Sequence, residues 1–320
     1  MIQNMAVENE LLLSIQNLTV QYGRFVAVDD LTLELRGGDL LGMIGPNGAG
    51  KTTTLRAAAG LLPVTRGTVE ILGQDVFEHA ATTGFHLGFT PDTPAVYETL
   101  TVECFLRFIG RAYSMENSLV EERIDHWLDQ LWLSDKRSSK ISALSRGMRQ
   151  RLAVARTLLP DPLVILLDEP ASGLDPAGRA YFRRMLSDLR DQGKAIIVSS
   201  HILADLADYC THILIMKRGR VQSLGTVAEV AGAGSDGRCN YRILLVRPVG
   251  DCAARIKPIA DLSRVSIDGA AIELEYFNDR EKAAALLTQL LEAGLPVAEF
   301  HSLAPDLEQA YLSSGIGQVD

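Results

Sequence analysis

The stretch LLGMIGPNGAGKTTTL, residues 40–55, decides the fold. Its first half, Leu40–Gly45, is a continuous apolar run. That pattern predicts a strand buried on both faces of a mainly parallel sheet. Its second half places Gly45, Gly50, Lys51 and Thr52 at the spacing G-x-x-x-x-G-K-[ST], and a helical pattern follows. Strand, glycine loop and helix in that order form the context in which this spacing holds phosphate. Flexible glycines let the backbone N–H groups of Gly45, Asn47, Gly48, Ala49 and Gly50 close around an anion. The helix N-terminus adds the positive end of its dipole. Lys51 then reaches the β- and γ-phosphates, and the Thr52 hydroxyl is a ligand for Mg²⁺.

Further along, LVILLDEP (163–170) is a second apolar run, ending in Asp168-Glu169. A strand that ends there sets one carboxylate beside the phosphate loop, where Asp168 holds the Mg²⁺ shell. The next residue, Glu169, is placed to orient and deprotonate an attacking water. AIIVSS (195–200) and HILIMK (212–217) read as two more buried strands. By contrast SIQNLTVQYG and AVDDLTLELRGG alternate, which predicts an antiparallel β subdomain at the N-terminus. Residues 99–158 are mostly helical in pattern.

The composition breaks at EVAGAGSDGRCN (229–240), a Gly-, Ala- and Ser-rich stretch that reads as a linker. After it come a strand (YRILLVRP), a helix weakened by Pro258, two strands around Asp268-Gly269, a strong helix stopped at Gly294, a strand (VAEFHSL) and a last short helix (PDLEQAYLSS). That order, βαββαβ plus a helix, predicts a ferredoxin-like α+β domain.

Composition narrows the function. With 31 Lys and Arg against 40 Asp and Glu the formal charge is −9, which argues against a general nucleic-acid binder. Cys104, Cys210, Cys239 and Cys252 make no CxxC pair and no zinc spacing, as expected of reduced thiols. The N-terminal MIQNMAVENELLLSI lacks the pattern of a signal peptide, and no apolar run is long enough to cross a bilayer.

In five ordered motifs the first 225 or so residues resemble the ATP-binding subunits of ABC transporters. They are the phosphate loop Gly45–Thr52, the signature Leu144-Ser145-Arg146-Gly147-Met148, the Walker B strand 163–169, the D-loop SGLDP (172–176) and the switch histidine His201 in SSHIL. Tyr22 in VQYGRFVAVDDL matches the aromatic that stacks on adenine. The resemblance implies a P-loop NTPase core with an antiparallel β subdomain and a helical subdomain. It also implies that Thr53 faces phosphate and that His201 contacts the γ-phosphate. Two such subunits pair head-to-tail in the family, as a homodimer or a heterodimer. Ser145 and Gly147 would then face a nucleotide held by the other subunit, where a capped helix start makes an anion site.

Two positions depart from the commonest family pattern. Arg146 and Met148 replace a glycine and a glutamine of the signature, a form that resembles bacterial exporter subunits for antibiotics, lipids, polysaccharides or sodium. In LGFTPDTPAVYETLTVECFL (87–106), Asp92 stands where the family's Q-loop places glutamine. Aspartate only accepts hydrogen bonds, and we expect it to reach the metal through water. Val96, Tyr97, Leu100 and Phe105 lie where the family receives a short helix of the membrane subunit.

The expectations are therefore an α/β ATP-binding domain over 1–228 with a helical subdomain at about 93–158, a linker at 229–240 and an accessory α+β domain over 241–320. The cofactors are ATP and Mg²⁺, and the catalytic residues are Lys51, Glu169 and His201. The partners are an integral membrane permease and a second ATP-binding subunit, with no nucleic acid. The location is cytoplasmic, peripheral on the inner face of the membrane through the permease. Two other readings are a soluble ABC ATPase acting in DNA repair or translation, and an ATPase regulated by a ligand of the C-terminal domain.

Overall fold

A computed structural model describes residues 9–200, 206, 208–230, 238–277 and 279–302. The chain forms two compact units, divided between Leu224 and Gly225.

The first unit begins with β1 (Leu11–Tyr22) and β2 (Phe25–Arg36), paired antiparallel, followed by β3 (Leu40–Ile44) and α1 (Lys51–Ala58). Then come β4 (Arg66–Ile71), β5 (Gln74–Asp75), α2 (Ala80–His86) and β6 (Leu87–Thr90). Three helices follow, α3 (Val102–Ala112), α4 (Asn117–Gln130) and α5 (Arg146–Leu158). Then come β7 (Val164–Leu167), α6 (Pro176–Asp191), β8 (Ala195–Ser200), β9 (His212–Lys217) and β10 (Arg220–Thr226), within which the division between the units falls.

These strands make two sheets. One, in the order β2-β1-β4-β5, is antiparallel; the other runs β10-β9-β3-β8-β7-β6, with β3 parallel to β8 and β9, and β7 parallel to β6 and β8. Both were legible as sequence patterns: β3 and β7 are buried at every position, while β2 alternates. Residues of the two sheets and α1 share one apolar core, including Leu13, Leu33, Met43, Leu55, Leu166 and Leu214. Because β3, β7 and β8 are parallel neighbours, the loops leaving their C-terminal ends meet at one edge of the sheet. Ligands bind at that edge in open α/β sheets.

The helices α3 and α4 are joined by ion pairs. Arg107 pairs with Glu121 at 2.5 Å, and Arg137 pairs with Glu121 at 2.7 Å, with Glu103 at 3.2 Å and with Asp125. One expectation is corrected here. Phe105 is 1% exposed and belongs to the core, so it presents nothing to a partner. Its neighbour Tyr97 is exposed and packs edge-to-face on both Phe105 and Phe108, with 5.8 Å between ring centroids in each case. Residue 108, one turn beyond 105, carries the accessible ring.

The second unit contains α7 (Val227–Val230), β11 (Arg238–Leu245), α8 (Cys252–Ile256), β12 (Ser263–Asp268), β13 (Ala271–Phe277), α9 (Arg280–Glu292) and β14 (Val297–Ser302). Its sheet runs β12-β13-β11-β14 with every neighbour antiparallel, the split βαβ arrangement of a ferredoxin-like domain. Cys239, Tyr241, Ile243, Ile272, Leu274 and Leu286 lie in its core. Of the stretch 229–240 expected as a linker, Glu229 and Val230 belong to α7, and Arg238, Cys239 and Asn240 pair with Phe277, Tyr276 and Glu275; residues 231–237 lie outside the described residues. Helix α8 stops at Ile256, two residues before Pro258. The expected helix PDLEQAYLSS lies outside the described residues.

Candidate active site

The loop between β3 and α1 is shaped by two close approaches. A Cβ on Gly45 would clash with the Met216 carbonyl of β9 and sit 2.9 Å from the Ala49 Cβ. Gly50 has φ +107°, and a Cβ there would lie 2.7 Å from the Ala27 carbonyl. Glycine is required at both places because of backbone that other strands have already fixed. At the start of α1, Lys51 is buried and its Nζ donates to the carbonyls of Gly45 at 2.6 Å and Pro46 at 3.3 Å. Burial pushes its ammonium below the ordinary lysine value, and the charges of Glu169 and Asp168 act in the opposite direction. Thr54, one turn on, is buried and donates from Oγ1 to the Gly50 carbonyl at 3.0 Å, which secures the first turn.

Asp168 follows β7 directly. Its backbone N–H donates to the Thr90 carbonyl at 2.9 Å, and its Oδ1 accepts from the Ser199 hydroxyl at 2.7 Å. The other oxygen, Oδ2, is buried without a hydrogen-bond partner among the described residues. A buried carboxylate oxygen left so is costly unless something positive meets it. The oxygens at hand, from Asp168, Thr52 and Asp92, are hard donors of the kind Mg²⁺ takes when phosphates complete its shell. No cluster of three His, Cys, Asp or Glu residues suited to a metal occurs among the described residues. The hard oxygen donors fit a Mg²⁺ whose shell phosphate oxygens complete. Glu169, next in the chain, takes φ +48°. A left-handed turn is uncommon at a non-glycine residue, and this one sets the backbone direction directly after Asp168.

One open cleft of about 270 Å³ brings these groups together. It is lined by Tyr22, Phe25, Ala27, the loop from Asn47 to Thr53, Asp92, Asp168 and Glu169. Of the residues expected from sequence, it holds Tyr22, Asn47, Gly48, Ala49, Gly50, Lys51, Thr52, Thr53, Asp92, Asp168 and Glu169; Gly45 does not line it, though its carbonyl accepts from Lys51, which does. Tyr22 and Phe25 face each other across the turn between β1 and β2 and are 49% and 64% exposed. Two bare rings beside a phosphate cradle offer a stacking surface for a planar base. Ser145 and Gly147 do not line this cleft. His201 lies outside the described residues.

The signature helix start has the predicted form. Ser145 is the N-cap of α5 and its Oγ accepts from the Met148 N–H at 3.3 Å. A Cβ on Gly147 would approach the Gly173 carbonyl to 3.0 Å, so the signature lies against the loop at 172–176. Asp175 caps α6 by accepting from the Gly178 N–H at 2.8 Å, with Pro176 in the first turn. The arginines of α5 have structural partners. Arg149 pairs with Glu98 at 2.7 Å, whereas Arg151 and Arg156 donate mainly to carbonyls, of Leu131 at 3.1 Å and Phe89 at 2.6 Å.

Sequence reasoning missed Ser199 and Phe25. Ser199 sits in an apolar run and carries no motif. Only the pairing of β7 with β8, with Leu167 opposite Val198, puts it beside Asp168. Phe25 could have been found by counting, since a two-residue turn after Tyr22 makes residue 25 its partner.

Comparison with known proteins agrees with this geometry. The ABC transporter family model matches residues 28–172. The ABC transporter ATP-binding protein YhcH of Bacillus subtilis is 33% identical over 301 residues, 94% of each chain. A Nod factor export ATP-binding protein of Cupriavidus metallidurans is 34% identical over 219 residues, 68% of this chain and 72% of that protein. A solved structure of an ATP-binding subunit of an ABC transporter is 32% identical, with a TM-score of 0.65, and the match covers 68% of this chain and 91% of that one. A cradle for phosphate, a carboxylate pair behind it and these likenesses converge: the chain belongs to the ATP-binding proteins of ABC transporters, and it is an ATPase.

Proposed function

We propose that the chain binds ATP with Mg²⁺ in the cleft at the end of β3 and uses its hydrolysis to drive a separate membrane-embedded permease, in the direction of export. The observation that carries this reading is the single cleft that unites Lys51, Thr52, Asp92, Asp168 and Glu169. The loop amides and Lys51 neutralise the triphosphate, and Tyr22 and Phe25 hold the base. Glu169 accepts the proton of the attacking water, and His201 supports the γ-phosphate. Thr52 and Asp168 would hold the Mg²⁺, with Asp92 acting through water, and the ion would supply charge stabilisation to the phosphates. Ser145 and Gly147 act on the nucleotide of a second subunit, so that two chains, identical or different, complete each other's sites. Their absence from the cleft of their own chain supports this arrangement.

Coupling to a permease rests on the family and on a groove. About 410 Å³ of open space is lined by Leu61, Leu87, Phe89, Pro91, Ile109 and Tyr113 among others, beside the segment that the family uses for its membrane partner. No helix among the described residues is long and apolar enough to cross a membrane; the proposed location is the inner face of the membrane, held there by the permease. The Nod factor relative and the Leu-Ser-Arg-Gly-Met signature favour export. Purification of the tagged chain from membranes tests the proposal. An integral membrane protein should copurify and stimulate ATP hydrolysis; hydrolysis by a chain that never associates with a membrane protein would contradict it.

A further inference from the structure

Ser199 joins both carboxylate residues without entering the cleft. It is fully buried at 0% exposure. Its hydroxyl donates to Asp168 Oδ1 at 2.7 Å and accepts from the Glu169 N–H at 3.0 Å. It lines a smaller cavity, about 190 Å³, on the other side of Glu169. One oxygen thus fixes the rotation of the Asp168 carboxylate and the position of the left-handed Glu169 backbone.

The consequence follows from counting lone pairs. With Oδ1 satisfied by Ser199, Oδ2 is the oxygen left over, buried and with no hydrogen-bond partner among the described residues. A carboxylate free to rotate would share its two oxygens between hydroxyl and metal. Held by Ser199, it offers one oxygen in one orientation. The Glu169 N–H, at a left-handed turn, donates to the same hydroxyl. We propose that Ser199 is a positioning residue of the ATPase centre: its hydroxyl orients Asp168 so that Oδ2 faces the metal of the bound nucleotide, and it holds the Glu169 backbone in register with that metal. The inference rests on the reading of Asp168 as a metal ligand.

The test uses the full chain as wild type, Ser199→Ala, Ser199→Thr and Asp168→Asn. Mn²⁺ replaces Mg²⁺ as the probe and is titrated with a saturating non-hydrolysable ATP analogue, with free Mn²⁺ read from its electron paramagnetic resonance signal. Analogue binding in EDTA counts the folded sites, so a partly misfolded variant is still read per site. Ser199→Ala is expected to weaken Mn²⁺ binding about 10-fold, the usual cost of removing a group that orients a metal ligand. It should lower kcat, while leaving analogue affinity in EDTA and the KM for ATP within about 2-fold of wild type. Ser199→Thr keeps the hydroxyl and should stay within about 3-fold of wild type.

A Ser199→Ala protein that binds Mn²⁺ as wild type does, while Asp168→Asn does not, would overturn the role of Ser199 and leave the metal site standing. Equal Mn²⁺ binding by wild type and Asp168→Asn would instead overturn the metal site itself. A threonine variant as weak as the alanine variant would show that packing matters and not the hydroxyl, and would also overturn the proposal. If the alanine variant does not fold, Ser199→Cys, with its weak donor, is read in the same way.

Discussion

Lys51 Nζ donates to the carbonyl oxygen of Gly45 at 2.6 Å, so the last residues of the loop hold its first. The bond closes the loop around the space where phosphate sits and presents a buried cation there at little further ordering cost. Lys51→Ala removes that charge together with the loop's internal tie. ATPase kcat/KM is expected to fall by at least about 100-fold, the scale of losing one preorganised group that stabilises a transition-state charge. A steady-state assay with a check of fold by circular dichroism measures this; activity within a few-fold of wild type would contradict the role.

Glu169 is the residue whose loss should separate binding from chemistry. Glu169→Gln keeps size and hydrogen bonding but cannot take a proton. Turnover should fall about 10²–10⁴-fold, the usual contribution of a general base. ATP binding should persist, and the ATP-loaded variant should accumulate as a dimer in size-exclusion chromatography.

Tyr22 and Phe25 should act on binding and not on rate, because neither ring lies near the reacting phosphate in the proposed site. Tyr22→Ala is expected to raise the KM for ATP by about 10-fold, within the range for one lost base–aromatic stack. Phe25→Ala should raise KM by a smaller factor, with kcat unchanged in both. A fall in kcat at constant KM would place the rings elsewhere in the reaction.

Away from the site, Glu121 predicts a pH effect on stability. Hydrogen bonding to Arg107, then the charges of Arg107 and Arg137, hold its carboxyl below the ordinary 4.5. A carboxyl whose folded value is depressed adds stability above the unfolded value and loses it as pH falls through the folded one. The network is partly exposed, so Glu121→Gln should cost less than about 1 kcal/mol at pH 7 and low salt. Urea denaturation at pH 7 and below pH 4 tests the sign: the gap between wild type and variant should shrink in acid and at high salt.

What the sequence disclosed follows from the range of each interaction. The phosphate cradle is contiguous, with Gly45, Gly50, Lys51 and Thr52 within eight residues, so spacing alone revealed it. The N-cap at Ser145 was equally local. Asp168 and Glu169 were readable because a buried strand must end in a loop, and charges at that end are conspicuous. Ser199 was hidden because its partners lie 31 and 30 residues away, and only β7–β8 pairing joins them. Phe105 was misjudged as a partner contact because an apolar run has no sign for inside and outside until the helices pack. The start of β11 was obscured by composition: Arg238 and Asn240 look like linker but pair with Phe277 and Glu275.

The central claim is that each catalytic site is assembled from two chains, one giving Lys51 and Glu169 and the other Ser145 and Gly147. The most direct measurement mixes two inactive variants, Lys51→Ala and Ser145→Arg. In a mixed dimer one of the two sites pairs the intact loop of the second variant with the intact signature of the first. ATPase activity should return on mixing, in proportion to the mixed dimer formed, while each variant alone stays inactive. No recovery despite demonstrated mixed dimers, or full wild-type turnover by a strictly monomeric chain, would contradict it.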